Sequence, residues 1–227
     1  MPPMPFKLFR RGGQVEPGPG SAGGSAGARS GPGGPAAAQP QAISFEALTE
    51  DWRLRGTFAA QGRLADVLNK REAIPIRAVS WAPADQSDGF SEVPGLQSVD
   101  PYDLIVVVLT GDDSRSVQDP ERAAAGRLHK IEYDVALDCP PYRVVGTVHL
   151  FPGSEPDRIM ERQTELFVAV TDPLVFHGPD LVRMDDVEVA LVNRSYLRGV
   201  EQVDRKTLAR VRPLPGRPLG GTSYRAD

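Results

Sequence analysis

Apolar and polar residues alternate along two stretches of the chain, and both stretches follow the same pattern. Residues 52–58 (WRLRGTF) and residues 142–148 (YRVVGTV) lie 90 positions apart and match at an arginine, a glycine and a threonine. The apolar positions of residues 43–47 recur at 133–137 with the same spacing. A period of two is typical of a half-buried β-strand. The pattern therefore predicts two consecutive strands in each half of the chain.

A short helix and two further strands are predicted after each strand pair, in the same order in both halves. Short helical candidates are residues 63–69 and 156–161, third strands are 73–78 and 166–171, and fourth strands are 103–108 and 186–191. The fourth strands are 83 positions apart, so the loops differ in length while the elements persist. Four matches in one order predict an internal repeat. We expect Val106 and Val189, at matching places in the fourth strands, to be buried.

These elements predict a mainly β fold with two tandem units after a disordered N-terminal arm. Each unit is expected to be a small β-barrel or a curled sheet with one short helix. The predicted organisation is a disordered basic arm rich in Gly and Pro (1–42), a first β unit (43–110), a linker with a short helix (111–130), a second β unit (131–203) and a flexible tail (204–227).

The arm differs from the rest of the chain in composition and in charge. Residues 12–42 contain ten glycines and five prolines, so they have little to bury and cannot offset the entropy of ordering. Residues 1–42 hold four basic and one acidic side chain, a net charge of +3, whereas the rest of the chain, with 22 basic and 29 acidic residues, has −7. An acidic body is atypical of nucleic-acid binding, so no nucleic-acid partner is expected.

No part of the sequence predicts catalysis, a metal site or a cofactor. The three histidines, His129, His149 and His177, have none of the spacings typical of a metal motif. The single cysteine, Cys139, excludes a disulfide within the chain. No apolar run approaches the roughly 20 residues of a membrane-spanning helix. The sequence favours a cytoplasmic protein.

Two sets of residues are candidates for binding. The first is the short apolar and basic peptide of the arm, which consists of Phe6, Lys7, Leu8, Phe9, Arg10 and Arg11. On this basis the leading hypothesis is a non-catalytic binding or assembly adaptor with a tethered peptide. Its expected partner is a protein, an anionic membrane surface is the alternative target of the arm, and self-association stays open. A ragged terminus without function is the simplest alternative for the arm.

The second set supports a different class of function. Arg53, Arg55, Arg143, Arg194 and Arg198 are candidates for a basic face on a β unit. Small β folds bind nucleotides through such faces. The alternative hypothesis is therefore a ligand-sensing regulatory protein that binds an anionic nucleotide on an arginine-lined β face.

Three motifs of the first unit also resemble a known type of domain. They are Arg-x-x-Gly at residues 53–56, Gly-Arg-Leu-x-Asp-x-Leu-Asn at 62–69 and Ile-Pro-Ile at 74–76. This order resembles a family of small uncharacterised bacterial β-domains, here present as a tandem pair. The second unit keeps Arg143, Gly146 and Gly153 but lacks the Arg-Leu-x-Asp core. The resemblance implies a β fold and carries no active site.

Overall fold

The computed structural model describes residues 41–211, apart from 61–63, 87–88, 110–129, 162–164, 183 and 185–186. The arm peptide, nearly all of the predicted linker with its short helix, and the chain after residue 211 lie outside the described residues. So does His129.

Strands form most of the described structure in both halves. The first half contains β1 (Gln41–Leu48), β2 (Trp52–Ala60), the helix α1 (Leu64–Asn69), β3 (Ile74–Pro83), β4 (Ser91–Glu92), β5 (Ser98–Val99), a 3₁₀ turn (Pro101–Asp103) and β6 (Val106–Leu109). The second half contains β7 (Ile131–Cys139), β8 (Tyr142–Leu150), a 3₁₀ turn (Pro156–Ile159), β9 (Phe167–His177), β10 (Asp180–Leu181), β11 (Val189–Asn193), a 3₁₀ turn (Arg194–Tyr196) and β12 (Gly199–Gln202). The prediction of a mainly β fold is confirmed.

The strands make one antiparallel arrangement that runs through both halves. Its order is β12-β7-β8-β9-β11-β6-β1-β2-β3-β4, with β10 added to β9 and β5 added to β3. In the described part of the chain this path has two ends, so the sheet is not closed and the barrel alternative is wrong. The reason is that β6 pairs with β1 on one edge and gives its other edge to β11, so it is not free to close the first half on β5.

The strand pairs of the two halves have corresponding registers. Leu54 pairs with Ala47 and with Trp81, and Val144 pairs with Leu137 and with Val175. Both second strands have an irregularity just after these pairs, at Arg55/Thr57 and at Val145/Thr147.

A glycine lies at each irregularity because the neighbouring strand comes very close. A Cβ on Gly56 would be 3.0 Å from the Arg77 carbonyl oxygen, and one on Gly146 would be 2.8 Å from that of Thr171. The neighbouring strand bends at the residue after each carbonyl, where Ala78 has a φ of 50° and Asp172 a φ of 48°.

The predicted match of the fourth strands is wrong. Strand β6 pairs with β1, for example Leu109 with Phe45. Its counterpart in the second half is β12, which pairs with β7, for example Gln202 with Val135. Strand β11 pairs with β9, so its counterpart in the first half is the short β5, which pairs with β3. Strands β6 and β11 look alike in sequence because both lie in the middle of the sheet, where continuous apolar runs are buried on both faces.

The valine prediction is correct for one residue only. Val106 is fully buried in β6, whereas Val189 is half-buried. Val189 pairs with Thr171 but precedes the three residues of β11 that pair with β6, so it has a strand neighbour on one side only.

The core consists of two main apolar clusters that meet at β6 and β11. Val106 and Val108 point into the cluster of the second half, and Val107 points into that of the first. Leu191 of β11 also joins the cluster of the first half. Strands β6 and β11 therefore contribute to both cores, which fixes one half against the other.

Hydrogen bonds add to this contact between the halves. The Tyr142 hydroxyl donates to the Thr49 carbonyl oxygen at 2.8 Å. The backbone N–H of Phe167 donates to Asn69 Oδ1 at 2.9 Å, which attaches α1 to β9.

Residues 204–211, which the composition placed in the flexible tail, form a turn against β12. The Asp204 carboxylate accepts hydrogen bonds from the backbone N–H groups of Lys206 and Thr207, both at 2.9 Å. The Val211 N–H then donates to the Gln202 carbonyl oxygen at 2.9 Å. This turn covers the end of an exposed strand edge.

Candidate functional site

A cleft of about 310 Å³ lies between the two halves. It is lined by Glu50, Tyr102, Pro140, Ser195, Tyr196 and Arg198. Glu50 and Pro140 belong to corresponding hairpin turns, β1–β2 and β7–β8. The other four belong to the 3₁₀ turn before β6 or to the 3₁₀ turn and loop before β12. The cleft is therefore built from the same two elements of each half.

Polar side chains cap the two 3₁₀ turns that carry half of the lining residues. Asp100 Oδ1 accepts a hydrogen bond from the Tyr102 N–H at 3.0 Å, and Asn193 Oδ1 accepts one from the Ser195 N–H at 3.0 Å. Short Asp and Asn side chains satisfy the free N–H groups at such a start. The sequence thus places Tyr102 and Ser195 at equivalent positions on two similar turns.

Asn193 also ties the two turns together. Its side-chain amide donates to the carbonyl oxygens of Pro101 at 3.1 Å and of Leu104 at 2.7 Å. Asn193 is fully buried, so each of these hydrogen bonds is shielded from water. A buried network consequently sets the position of the two 3₁₀ turns relative to each other.

The lining combines exposed polar groups with aromatic surface. Tyr102 is 43% exposed, although its ring is large and apolar. Glu50, Pro140, Ser195 and Arg198 are also exposed, whereas Tyr196 is half-buried and packs on the core of the second half. The cleft therefore offers two aromatic rings to a bound group, and packing on the core holds the Tyr196 ring in place.

Carboxylates lie close to the half-buried tyrosine. Burial raises the pKa of Tyr196, and the negative charges of Glu50 and Asp103 raise it further. The hydroxyl stays protonated at neutral pH and can donate a hydrogen bond into the cleft. Arg198 adds a positive charge to the lining, and no carboxylate in the described part of the chain forms an ion pair with it.

Arg53 and Arg55, two of the predicted ligand-binding arginines, bind a carboxylate of the chain itself. Glu46 accepts hydrogen bonds from Arg53 Nε at 2.9 Å, from Arg53 Nη2 and from Arg55 Nε at 2.8 Å. Glu46 and Arg53 are each only 2% exposed. The Arg55 guanidinium also lies 4.0 Å from the centre of the Phe90 ring. This cluster, on strands β1 and β2, is separate from the cleft lining.

The remaining predicted arginines lie at other places. Arg143 forms ion pairs with Asp138 at 3.2 Å and Glu201 at 3.4 Å on the second half. Arg194 lies 3.6 Å from Glu165, and it shares the segment before β12 with Arg198. Of the five arginines, only Arg198 lines the cleft.

The surroundings of Cys139, His149 and His177 indicate a structural role for these residues. Burial raises the pKa of the Cys139 thiol to about 12, so it is not a thiolate at neutral pH. His149 Nε2 lies 3.2 Å from Thr171 Oγ1 on a strand surface, and the His177 ring packs beside Tyr142. Among the described residues, no cluster of His, Cys, Asp or Glu could hold a metal ion.

Sequence reasoning missed most of the cleft. Of its six lining residues only Arg198 was a candidate, and Glu50, Tyr102 and Tyr196 were not singled out. A local signal was available, because Asp100-Pro101 and Asn193-x-Ser195 both have the form of a turn cap. That the two turns meet follows only from the hydrogen bonds of Asn193 to Pro101 and Leu104.

Comparisons of the chain with protein-family models, with curated proteins and with solved structures found no match. The resemblance to small bacterial β-domains stays a prediction. No helix in the described ranges is long and apolar enough to span a membrane. The function has to be argued from the geometry of the site.

Proposed function

We propose that the chain is a tandem pair of one β unit and that it serves as a non-catalytic binding module. In this proposal the cleft between the units binds an extended segment of a partner protein. The observation that carries it is the cleft itself, where corresponding turns of the two halves bring Tyr102, Tyr196, Arg198 and Glu50 together. Corresponding registers in β1–β3 and β7–β9 support the tandem pair.

The residue types of the cleft favour a protein ligand. Tyrosine and arginine are enriched at protein interfaces and among the side chains that contribute most to binding. Small-molecule pockets usually enclose most of the ligand surface. Here five of the six lining residues are exposed, so the cleft suits one or two side chains of a longer peptide.

The charges indicate the chemistry of that peptide. Among the lining residues Glu50 is the acid and Arg198 the cation. The negative charges of Glu50 and Asp103 both act on Tyr196. An aromatic or proline side chain that packs on the tyrosines, flanked by a basic residue, would match this surface.

The alternative is a sensor of an anionic nucleotide. Four of the five candidate arginines are already in ion pairs with carboxylates of the chain. A nucleotide would have to compete for these four or rely on Arg198. Binding of ATP to the full-length protein that is lost in Arg198→Ala would favour this alternative over the peptide site.

Selection from a phage-displayed library of 12-residue peptides, with the full-length protein as bait, tests the proposal. We expect enriched peptides with aromatic and basic residues. Binding of the enriched cationic peptides is then measured by calorimetry. Tyr102→Ala should weaken their binding at least fivefold. Arg198→Glu should strengthen it at least fivefold. Phe151→Ala is the matched control, because Phe151 is 53% exposed but lies at the opposite end of the β7–β8 hairpin. Failure to enrich any peptide, or equal affinity in all variants, would refute the proposal.

A further inference from the structure

We infer that the cleft has a ligand within its own chain, the basic aromatic peptide of residues 6–11, which occupies it in competition with the partner. The inference rests on the proposed peptide-binding function and adds a regulatory element to it. The arm then acts as a tethered competitor, and partner binding requires its displacement.

Charge is the first argument. Residues 1–42 have a net charge of +3 and the rest of the chain has −7, so the arm is attracted to the body as a whole. The attraction is local as well, since the exposed Glu50 lines the cleft. Arg10 or Arg11 of the arm can pair with this carboxylate.

Shape is the second argument. The arm peptide has three large apolar side chains, Phe6, Leu8 and Phe9, within four residues. The cleft volume of about 310 Å³ accommodates one or two such side chains. Tyr102, with 43% of its surface exposed, gives them an aromatic partner.

Reach is the third argument. Gln41 begins β1 and the cleft lies beyond its other end, at Glu50. The eight residues of β1 span about 27 Å at the usual rise of a strand. A Gly-rich chain of the length of residues 12–40 has a root-mean-square end-to-end distance of about 30 Å. A tether that matches the span gives an effective concentration on the order of millimolar, enough to half-fill a site of similar dissociation constant.

A spin label on the arm provides the test. Cys139 is buried and its thiol has a raised pKa, so in Met4→Cys full-length protein the nitroxide attaches to the arm alone. In the ¹⁵N-labelled protein we expect the amide signals of Glu50, Tyr102 and Ser195 to broaden at least threefold more than that of Gly153. Gly153 follows the far end of the β7–β8 hairpin and serves as the internal reference.

Substitutions in the arm separate a specific contact from general attraction. Phe6→Ser/Phe9→Ser, which leaves the charge unchanged, should abolish the excess broadening and raise the affinity for a selected peptide about twofold, as expected when a half-filled site is freed. Val15→Ser, which also replaces an apolar arm residue without changing the charge, is the matched arm control and should change neither. Broadening that is equal at Gly153 and at the cleft, or that survives the double substitution, would overturn the inference. If selected peptides bind the cleft while the arm does not broaden it, the proposed function stands and this inference fails.

Discussion

Corresponding strand positions on the outer faces of the two halves hold side chains of different kinds. Glu46 and Arg55 of the first half occupy strand positions that correspond to Ala136 and Val145 of the second. In the first half these positions hold an ion pair between Glu46 and the partly exposed Arg55, and Glu46 forms a second, fully buried ion pair with Arg53. In the second half they form a small apolar cluster with Val203.

The difference teaches that strand register does not dictate what fills a face. An apolar cluster contributes by removing surface from water. A buried ion pair must first overcome the desolvation of both charges, so its presence is weak evidence of stabilisation. Loss of one partner, however, leaves the other charge buried without compensation. The first half should therefore be far more sensitive than the second to the removal of a single charged side chain.

Glu46→Ala should have the largest effect. It leaves Arg53, which is 2% exposed, without its carboxylate, and we expect a loss of about 3–5 kcal/mol in the free energy of unfolding. Urea denaturation followed by circular dichroism measures it. Glu201→Ala is the control in the second half, because Glu201 and Arg143 are both partly exposed, and it should cost at most about 1 kcal/mol.

The double variant Glu46→Ala/Arg53→Met sharpens this prediction. Both charges are then gone, and Met fills much of the arginine volume, so more than half of the lost stability should return. Equal losses in the single and double variants would mean that packing, and not charge, makes Glu46 important.

The two glycines at the strand irregularities should differ in their tolerance of alanine. A Cβ on Gly146 would lie 2.6 Å from Val170 Cγ1 and 2.8 Å from the Thr171 carbonyl oxygen, whereas the nearest atom to one on Gly56 is 3.0 Å away. We expect Gly146→Ala to cost about 2–3 kcal/mol and Gly56→Ala about 1 kcal/mol. Thermal unfolding of both variants gives the order, and a reversed order would contradict the tighter approach in the second half.

Alkaline pH should destabilise the protein through Tyr142, whose counterpart Trp52 does not ionise. Burial raises the pKa of Tyr142 above that of an exposed tyrosine. Above a pH of about 10 the unfolded chain loses this proton while the folded state keeps it, so stability present below pH 10 falls as pH rises, by about 1.4 kcal/mol per unit. Unfolding free energies measured from pH 8 to 11 should show a shallower decline in Tyr142→Phe. Parallel curves would disprove this role.

Tyr142→Phe should also weaken the contact between the halves at neutral pH. The variant loses the hydrogen bond to the Thr49 carbonyl oxygen and leaves that buried acceptor with fewer donors. A cost of about 1 kcal/mol is expected at pH 7, which the same denaturation series determines.

The smallest effect is expected at Cys139, which has Thr49 as its counterpart. The thiol is buried and its pKa is raised to about 12, so iodoacetamide at pH 8 should leave it unmodified in the native protein. Complete reaction in urea serves as the control. Rapid labelling without denaturant would show that the β7–β8 turn opens.

Much of the strand structure was predictable from local pattern. The period-two stretches around Leu54 and Val144 became β2 and β8, with glycines opposite closely approaching carbonyls. The match of β6 with β11 failed because an apolar run reports burial on both faces and says nothing about which strand lies next to it.

The sequence by itself determined the mainly β character of the protein and the first three strands of each half, because alternation and turn residues are local properties. Only the tertiary structure decided that β11 joins β6, that Glu46 is buried between two arginines and that the turns at Tyr102 and Ser195 meet in a cleft. The first and the last depend on residues 82 to 93 positions apart, which meet when the two halves pack. The burial of Glu46 depends on opposite charges that the β1–β2 hairpin brings to one face. No pattern within a single element contains these contacts.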